Sequence, residues 1–453
     1  MTVVDSPETN IFLEYVIGLP EDDINFLQKE PSSAFFLFRL LPDVAQQLLV
    51  KLIWNSNVVD ALKHDNKEIG SNLDLLKKLK LVRVVEGSCT VNDNFRRAYL
   101  YAVMNGSKRC AQIDSTEVEE QKRNKDIVRK SNERWECILR YLALPSEQNK
   151  ASVSLTTRKL FNSANFTSGE GEGDMEITSA GFQFLLLSPI QQLWTYMSEY
   201  LKLAQSEGKD LKELMIVLIK IILCVDKGDD ITKRAYELDN SWSKEQNELV
   251  MHMRELGLIF LRTRKNGIFF LTPLLWHLSS RSDDDQASQE RKDGYIIVET
   301  NFRLYAYTNS SLDLAILSTF TEMTYRFNDM SVGILTRESV RRALQVGITA
   351  NQIISFLRSN AHSKCLNSSG PLNCLPITVA DQIRLWEDER KRLVFTDATI
   401  YSVFDSEEEF VGVRDFAANQ DVLLWADSTQ KLVIVTDEGH SLVKQWWRQH
   451  RGQ

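Results

Sequence analysis

His362, Cys365 and Cys374 are the residues whose types come nearest to a metal site. Imidazole and thiolate are zinc ligands, and a closed structural zinc takes four of them. No fourth ligand stands at sensible spacing, so the trio predicts no metal. The triple aspartate at 283–285 lies in "RSDDDQASQERKDG", a polar stretch without apolar period, and reads as a linker. "SGEGEGD" is rich in glycine, yet its acids repel phosphate and no lysine follows; a flexible loop is the better reading. The chain has no G-x-x-x-x-G-K-[ST] loop, no H-E-x-x-H, no G-x-S-x-G and no C-x-x-C, the spacings that mark nucleotide, metalloprotease, hydrolase and thiol chemistry. The six histidines are scattered, and none has a partner legible in the sequence. No cofactor is expected, and an enzyme reading needs a site assembled from distant residues. The expectation is a protein that is not an enzyme.

The elements that would position such residues are numerous. At 453 residues the chain suggests about three domains, taking roughly 150 residues for each. An apolar fraction of 43% lets each bury a core, and a formal charge of -8 argues against wholesale coating of nucleic acid. Six dispersed cysteines form no disulfide framework and favour a reducing compartment. "MTVVDSPETN" lacks the basic and apolar pattern of a signal peptide. "LMIVLIKIILCV", Leu214 to Val225, is too short for a bilayer, which needs about 20 apolar residues. These features predict a soluble intracellular protein without a membrane partner.

A grammar of helix, strand, tight turn, strand and helix recurs along the chain. In residues 75–103, Leu73 and Leu76 continue a stripe begun at Ile69. "LVRVV" and "SCTV" then read as strands about an "EG" turn, and a helix follows "NDN", whose short polar side chains cap free amides. In residues 249–278, Trp242, Leu249, Met253 and Leu256 share a stripe and Gly257 ends the helix. "LIFLR" and "IFFLT" flank an Asn-Gly hairpin turn. A looser copy runs through "RWECILRYLAL", "LTTRKLFNSANF" and "MEITSAGFQFLLL". A fourth, "DVLLWADSTQKLVIVTDEGHSLVKQWW", is preceded by the strand "LVFTDATIY" and reads as a small α+β domain. The first three fit the winged-helix pattern.

Many winged helices bind DNA and many bind only protein. Residues 61–110 hold ten Lys or Arg against five Asp or Glu. That face reads first as a solvated surface and second as a contact for phosphate. Arg262, Arg264 and Lys265 in the wing "RTRKNG" are the better-shaped candidates for a weak DNA backbone contact. The alternative function is therefore a winged-helix DNA-binding transcription regulator.

Beyond the linker, "IIVETN" and "FRLYAYT" read as a hairpin, "SLDLAILSTFTEMTYRF" as a helix beneath it and "MSVGILT" as a further strand. "RESVRRALQVGITANQIISFLRSNAH" reads as two helices hinged at Gly347, the second capped at Ile348-Thr349. "ITVADQIRLWEDERKRLVF" carries Val379, Ile383, Trp386 and Leu393 on one stripe.

The blocks "ITSAGFQFLLL", "IIVETNFRLYAYT", "GITANQIISFLRSNAH" and "ITVADQIRLWEDER" together, in this order and spacing, resemble the fifty-two-kilodalton subunit family of the general transcription factor TFIIH. The resemblance runs from about residue 10 to the C-terminus, and before residue 130 it is one of pattern alone. It implies a nuclear, non-catalytic scaffold acting in RNA polymerase II transcription and nucleotide excision repair. That scaffold holds an XPB-type DNA translocase through a small domain called the clutch and stimulates its ATPase. It pairs with an eight-kilodalton subunit through its C-terminal domain and contacts the thirty-four-kilodalton core subunit through its N-terminal part.

The expected fold is α+β and mostly helical. An N-terminal helical and winged-helix domain (1–125) precedes winged-helix-like domains at 130–205 and 208–280. An acidic linker (281–293), the clutch with its connecting helix (294–393) and a C-terminal dimerisation domain (394–453) follow. The hairpin maps onto the clutch, so Tyr295, Ile297, Glu299, Arg303, Tyr305 and Tyr307 are the expected translocase contacts, reached by strand addition. Ile296, Val298, Phe302 and Leu304 are expected in the core; for the tyrosines, core and interface stand even. In the C-terminal domain Val422, Leu424, Trp425, Leu432, Ile434, Trp446 and Trp447 are the expected small-subunit contacts, because a domain of about 60 residues struggles to stabilise itself.

Overall fold

The computed structural model describes residues 10–54, 67–85, 88–106, 113, 115–117, 126–144, 153–168, 176–225, 234–239, 241–261, 267–279, 294–366, 374–392 and 397–450. It comprises two compact units, Met1–Arg384 and Leu385–Gln453. Both mix helices with small antiparallel sheets, as the α+β reading expects.

The first unit opens with α1 (Ile11–Ile17), α2 (Glu21–Lys29), α3 (Pro31–Leu40) and α4 (Asp43–Trp54). The Asn10 side chain caps α1 by accepting the Phe12 N–H at 2.9 Å. Pro31 starts α3 at a position whose N–H has no helical partner. The helix α5 (Lys67–Lys78), the ribbon β1 (Val82–Val85) and β2 (Ser88–Val91), and α6 (Asp93–Asn105) follow. Asn92 caps α6 by accepting the Asn94 N–H, as "NDN" predicts.

After β3 (Ser115–Glu117) come α7 (Ile127–Ala143), α8 (Leu155–Ser163), the short pair β4 (Thr167–Ser168) and β5 (Glu176–Ile177), and α9 (Ser179–Leu185). The "GEGEGD" segment and the linker at 281–293 lie outside the described residues. Next stand α10 (Pro189–Ser206) and α11 (Leu211–Leu223). The α11 sequence is apolar nearly all round and therefore needs burial. It is packed by α2, α3 and α10. No described helix is long and apolar enough to cross a membrane.

The strand β6 (Arg234–Glu237) leads to α12 (Lys244–Leu256), β7 (Ile259–Leu261), β8 (Ile268–Leu271) and α13 (Leu274–Ser279). Helices α12 and α13 also pack on α11. Gly257 ends α12 with φ of 81°, and a Cβ there would stand 2.4 Å from the Ser131 carbonyl oxygen. Only glycine satisfies both demands.

Two features depart from the sequence reading. The "IFFLT" hairpin is extended to a four-stranded sheet of order β3-β6-β8-β7, so a strand from residues 115–117 joins a sheet centred beyond residue 230. Packing also crosses the expected boundaries near 125–130 and 205–208. The Phe12 ring lies 4.7 Å from Trp194, and Lys212 on α11 pairs with Asp23 on α2 at 3.2 Å.

The remainder of the first unit is built on β9 (Ile296–Val298), β10 (Arg303–Ala306), α14 (Ser311–Phe320), β11 (Glu322–Arg326), β12 (Ser331–Ile334), α15 (Arg337–Gln345), α16 (Ala350–Ser359) and α17 (Ile377–Lys391). "TEMTYR" is a strand and not the end of a helix. Thr321 leaves α14 in extended conformation, and Thr and Tyr residues favour the pleated strand. Thr349 caps α16 in a capping box with Gln352, after Gly347 at φ of 97°. The division between the two units falls inside α17.

In the second unit the sheet order is β13-β15-β14, from β13 (Ala398–Tyr401), β14 (Leu423–Asp427) and β15 (Leu432–Thr436), with α18 (Glu407–Asn419) and α19 (Asp437–His450). Ser406 caps α18, and Glu407, Glu408 and Glu409 sit in its first turn, where the helix dipole favours acids.

Candidate protein-binding faces

The sheet built on the 296–306 hairpin has order β11-β12-β10-β9, all antiparallel. Side chains alternate across a strand, so its register sorts them into an inner and an outer face. Ile296, Val298, Leu304 and Ala306 are buried on the inner face. Phe302 sits in the hairpin turn with φ of 67° and is half-buried. The turn is closed by Asn301, which accepts the Arg303 N–H at 2.9 Å and donates to Glu299 at 2.9 Å.

The outer face carries Ile297 opposite Tyr305, and Tyr305 opposite Val332, all half-buried. Arg303 is exposed beside Ile334, and Glu299 is exposed in the turn. Tyr307 is 48% exposed and meets His362 edge-on at 5.7 Å. Tyr295 differs from the other two tyrosines. It is half-buried, and burial and the neighbouring Asp313 carboxylate push its phenol well above the ordinary value. Of the three tyrosines Tyr295 and Tyr305 are half-buried and Tyr307 is exposed.

The hairpin is not a two-stranded ribbon with free margins. β10 is central, paired to β9 and β12. Beyond β9, Asn360 accepts the Tyr295 and Ile296 N–H groups at 3.0 Å, and His362 donates its N–H to Ile296 at 2.8 Å. Strand addition at that part of the hairpin is therefore pre-empted by this same chain. Among the described residues the margin without a strand partner is β11, where Tyr325 and, just past the strand, Phe327, 62% and 56% exposed, stack at 6.4 Å. Misreading "TEMTYR" as helix hid that edge.

In the second unit Tyr401, Phe410, Val413, Ala417, Val433, Val435 and Val443 form the core. Trp446 packs against it and stacks on Phe416 at 4.9 Å. Trp447 lies 5.4 Å from Tyr401 and donates its indole N–H to Glu409. Val422 packs on the same core, close against Gly439. These three expected contacts are half-buried and pack against the unit's own core, the two tryptophans from one stripe of α19. Leu424 and Trp425 face outward, 50% and 51% exposed, and Leu432 and Ile434 are half-buried. Ile400, 61% exposed, joins them. Ile434 stands opposite both Ile400 and Trp425 in the register, so the three form one apolar row across the sheet.

Arg262, Arg264 and Lys265 lie outside the described residues. Cys374 is buried, burial raises its thiol, and its sulfur lies 3.8 Å from the Arg358 carbonyl. Among the described residues no three His, Cys, Asp or Glu side chains are grouped to hold a metal.

A buried polar cluster lies within the first unit. The Tyr196 hydroxyl is 3.0 Å from Thr157 Oγ1 and 3.1 Å from His252 Nε2, and Tyr200 stacks on His252 at 4.6 Å. Burial raises the Tyr196 phenol. Burial would also raise the Glu255 carboxyl, but hydrogen bonds from His252 and Ser154 outweigh it and hold the group at about 2. The cluster joins α8, α10 and α12, and its chemistry is that of a structural clasp.

The chain matches the family described as transcription factor Tfb2 over residues 14–363. It matches the Tfb2 (p52) C-terminal domain over residues 381–448. It is similar to general transcription factor IIH subunit 4 of Dictyostelium discoideum, with 36% identity over 331 residues, covering 70% of this chain and 65% of that protein. It is similar to general transcription and DNA repair factor IIH subunit TFB2 of Saccharomyces cerevisiae, with 30% identity over 505 residues, covering 95% and 96%. The Arabidopsis thaliana protein of the same name is 33% identical over 314 residues, covering 69% and 66%.

Proposed function

The chain belongs to the Tfb2 family of TFIIH subunits, and from this premise we propose that it is a nuclear, non-catalytic scaffold of the TFIIH core. In this reading the outer clutch face, from Ile297 through Tyr305 with Arg303 and Glu299, grips an XPB-type DNA translocase and stimulates its ATPase. The outer sheet face of the second unit receives the eight-kilodalton subunit, and the N-terminal helices meet the thirty-four-kilodalton subunit. The strand ribbons of the first unit serve as winged-helix-like modules. The assembly acts in RNA polymerase II initiation and nucleotide excision repair.

The observation that carries the reading is the row Ile400–Ile434–Trp425. Three apolar side chains lie together on one face of a small sheet whose other face already holds the core. Exposed apolar clusters of this kind mark interaction sites, and aromatic anchors dominate interface energies. The clutch face is more polar, which suits a contact that also communicates. A scaffold stimulates an ATPase by binding one of its states better than another, a coupling of about 1–3 kcal/mol.

The test is co-purification of the full chain with the small subunit and the translocase, together with the translocase ATPase rate. Trp425→Glu should abolish small-subunit capture while leaving the translocase bound. Arg303→Glu with Tyr305→Ala should reduce translocase capture or its stimulation. Wild-type behaviour of both variants would overturn the assignment.

A further inference from the structure

We propose that a cationic cleft on the first unit binds the phosphate backbone of single-stranded nucleic acid. The cleft, of about 320 Å³, is walled by α2, the start of β1, the Asn92–Asn94 opening of α6 and the start of α11. None of its lining residues belongs to the β9–β12 sheet, and it rests on none of the partner assignments above.

Three cations from three elements line it: Lys29 on α2, Arg83 on β1 and Lys212 on α11. Lys29 and Arg83 are exposed and make no ion pair among the described residues. Lys212 is held by Asp23 at 3.2 Å while its ammonium lies 5.6 Å from the centre of the Phe26 ring. Asp22 is the carboxylate among the lining residues, so positive charge prevails within a chain whose formal charge is -8. Like charges lining one small cleft repel, and an anionic ligand relieves that repulsion.

Phe26 and Asn94 narrow the class of anion. Phe26 is a large apolar ring left 38% exposed inside a charged cleft. Single-strand binding surfaces combine a cationic groove for phosphates with aromatic rings on which unpaired bases stack. Asn94 adds an exposed amide with both donor and acceptor capacity. The volume is at the low end of the roughly 300–1,000 Å³ range of ligand clefts, which suits one nucleotide of a passing strand. A duplex buries its base faces and offers Phe26 no stacking partner. An acidic peptide offers carboxylates without a base.

The experiment is fluorescence anisotropy of the full chain with a labelled oligothymidylate. A duplex of equal length, poly-glutamate and inorganic phosphate serve as competitors. Oligothymidylate should bind with an affinity that falls steeply between roughly 50 and 200 mM salt, and should resist the other three. Lys29→Ala with Arg83→Ala should weaken binding by about tenfold or more and flatten the salt dependence. Phe26→Leu should weaken oligothymidylate alone. Circular dichroism verifies that each variant is folded, which the exposure of Lys29 and Arg83 favours. Unchanged affinity in the double variant, equal displacement by poly-glutamate or duplex, or no binding at low salt would each overturn the proposal.

Discussion

Glu255 on α12 accepts the backbone N–H of Ser154 at 2.8 Å, so a carboxylate of one helix completes the N-terminal cap of another. The same carboxylate accepts the Thr157 hydroxyl at 3.1 Å and faces His252 at 3.4 Å. Its depressed titration makes this clasp a pH-dependent source of stability. A lowered carboxyl contributes fully above its ordinary 4.5 and loses that contribution as pH falls toward about 2. Glu255→Gln should cost about 1–3 kcal/mol near neutrality. Thermal unfolding of both proteins should show the gap closing between pH 4.5 and 2. A gap independent of pH would mean that the carboxylate charge is not what the clasp uses.

Gly257 and Gly208 separate backbone strain from collision. Both have positive φ, 81° and 78°, but nothing lies within 4 Å of a Cβ at Gly208. Gly208→Ala should cost about 1 kcal/mol. Gly257→Ala drives a methyl into the Ser131 carbonyl and should cost several-fold more, read as the difference in midpoint on chemical denaturation. Equal costs would show that α7 yields without resistance.

The tryptophans of the second unit should part company in the isolated chain. Trp446→Ala removes a ring stacked on Phe416 and should cost about 3 kcal/mol. Trp425→Ala removes an outward ring and should stay within about 0.5 kcal/mol. Denaturant unfolding monitored by far-ultraviolet dichroism measures both. A large loss at Trp425 would place that ring in the unit's own stabilisation and weaken its candidacy as an anchor.

Gln183 on α9 donates to the Gly347 carbonyl at 2.7 Å, across 164 residues of chain. Gln183→Ala should remove about 0.5–1.5 kcal/mol. Hydrogen exchange should rise at the α15–α16 turn and leave the β9–β10 amides unchanged. Uniform exchange across both would show that the contact does not tie α15 and α16 to α9.

Local signals were legible from residue order. The Asn92 cap, the Gly257 terminus, the Thr349 cap and the strands about the 299–302 turn all depend on neighbours within a few positions. What could not be read depends on distant partners. Trp446 and Trp447 sit on one amphipathic helix, and periodicity does not say which stripe meets the core. The closure of β9 by Asn360–His362 joins segments about 65 residues apart. The strand "TEMTYR" was lost because it follows an apolar helix without a glycine or proline to break it. At the candidate faces, strand parity sorted Tyr305 from Leu304, but Ile400 was missed because its row exists only once three strands are side by side.

The pairing of β3 with β6 sets a schedule for synthesis. Ser115 stands opposite Tyr236, about 120 residues later in the chain. A ribosome adding about 5–20 residues each second reaches Tyr236 roughly 6–24 s after Ser115. Throughout that interval the nascent Ser115–Glu117 segment lacks its native mate. The N-terminal third therefore cannot finish folding as it emerges, and must wait for the middle of the protein to be made.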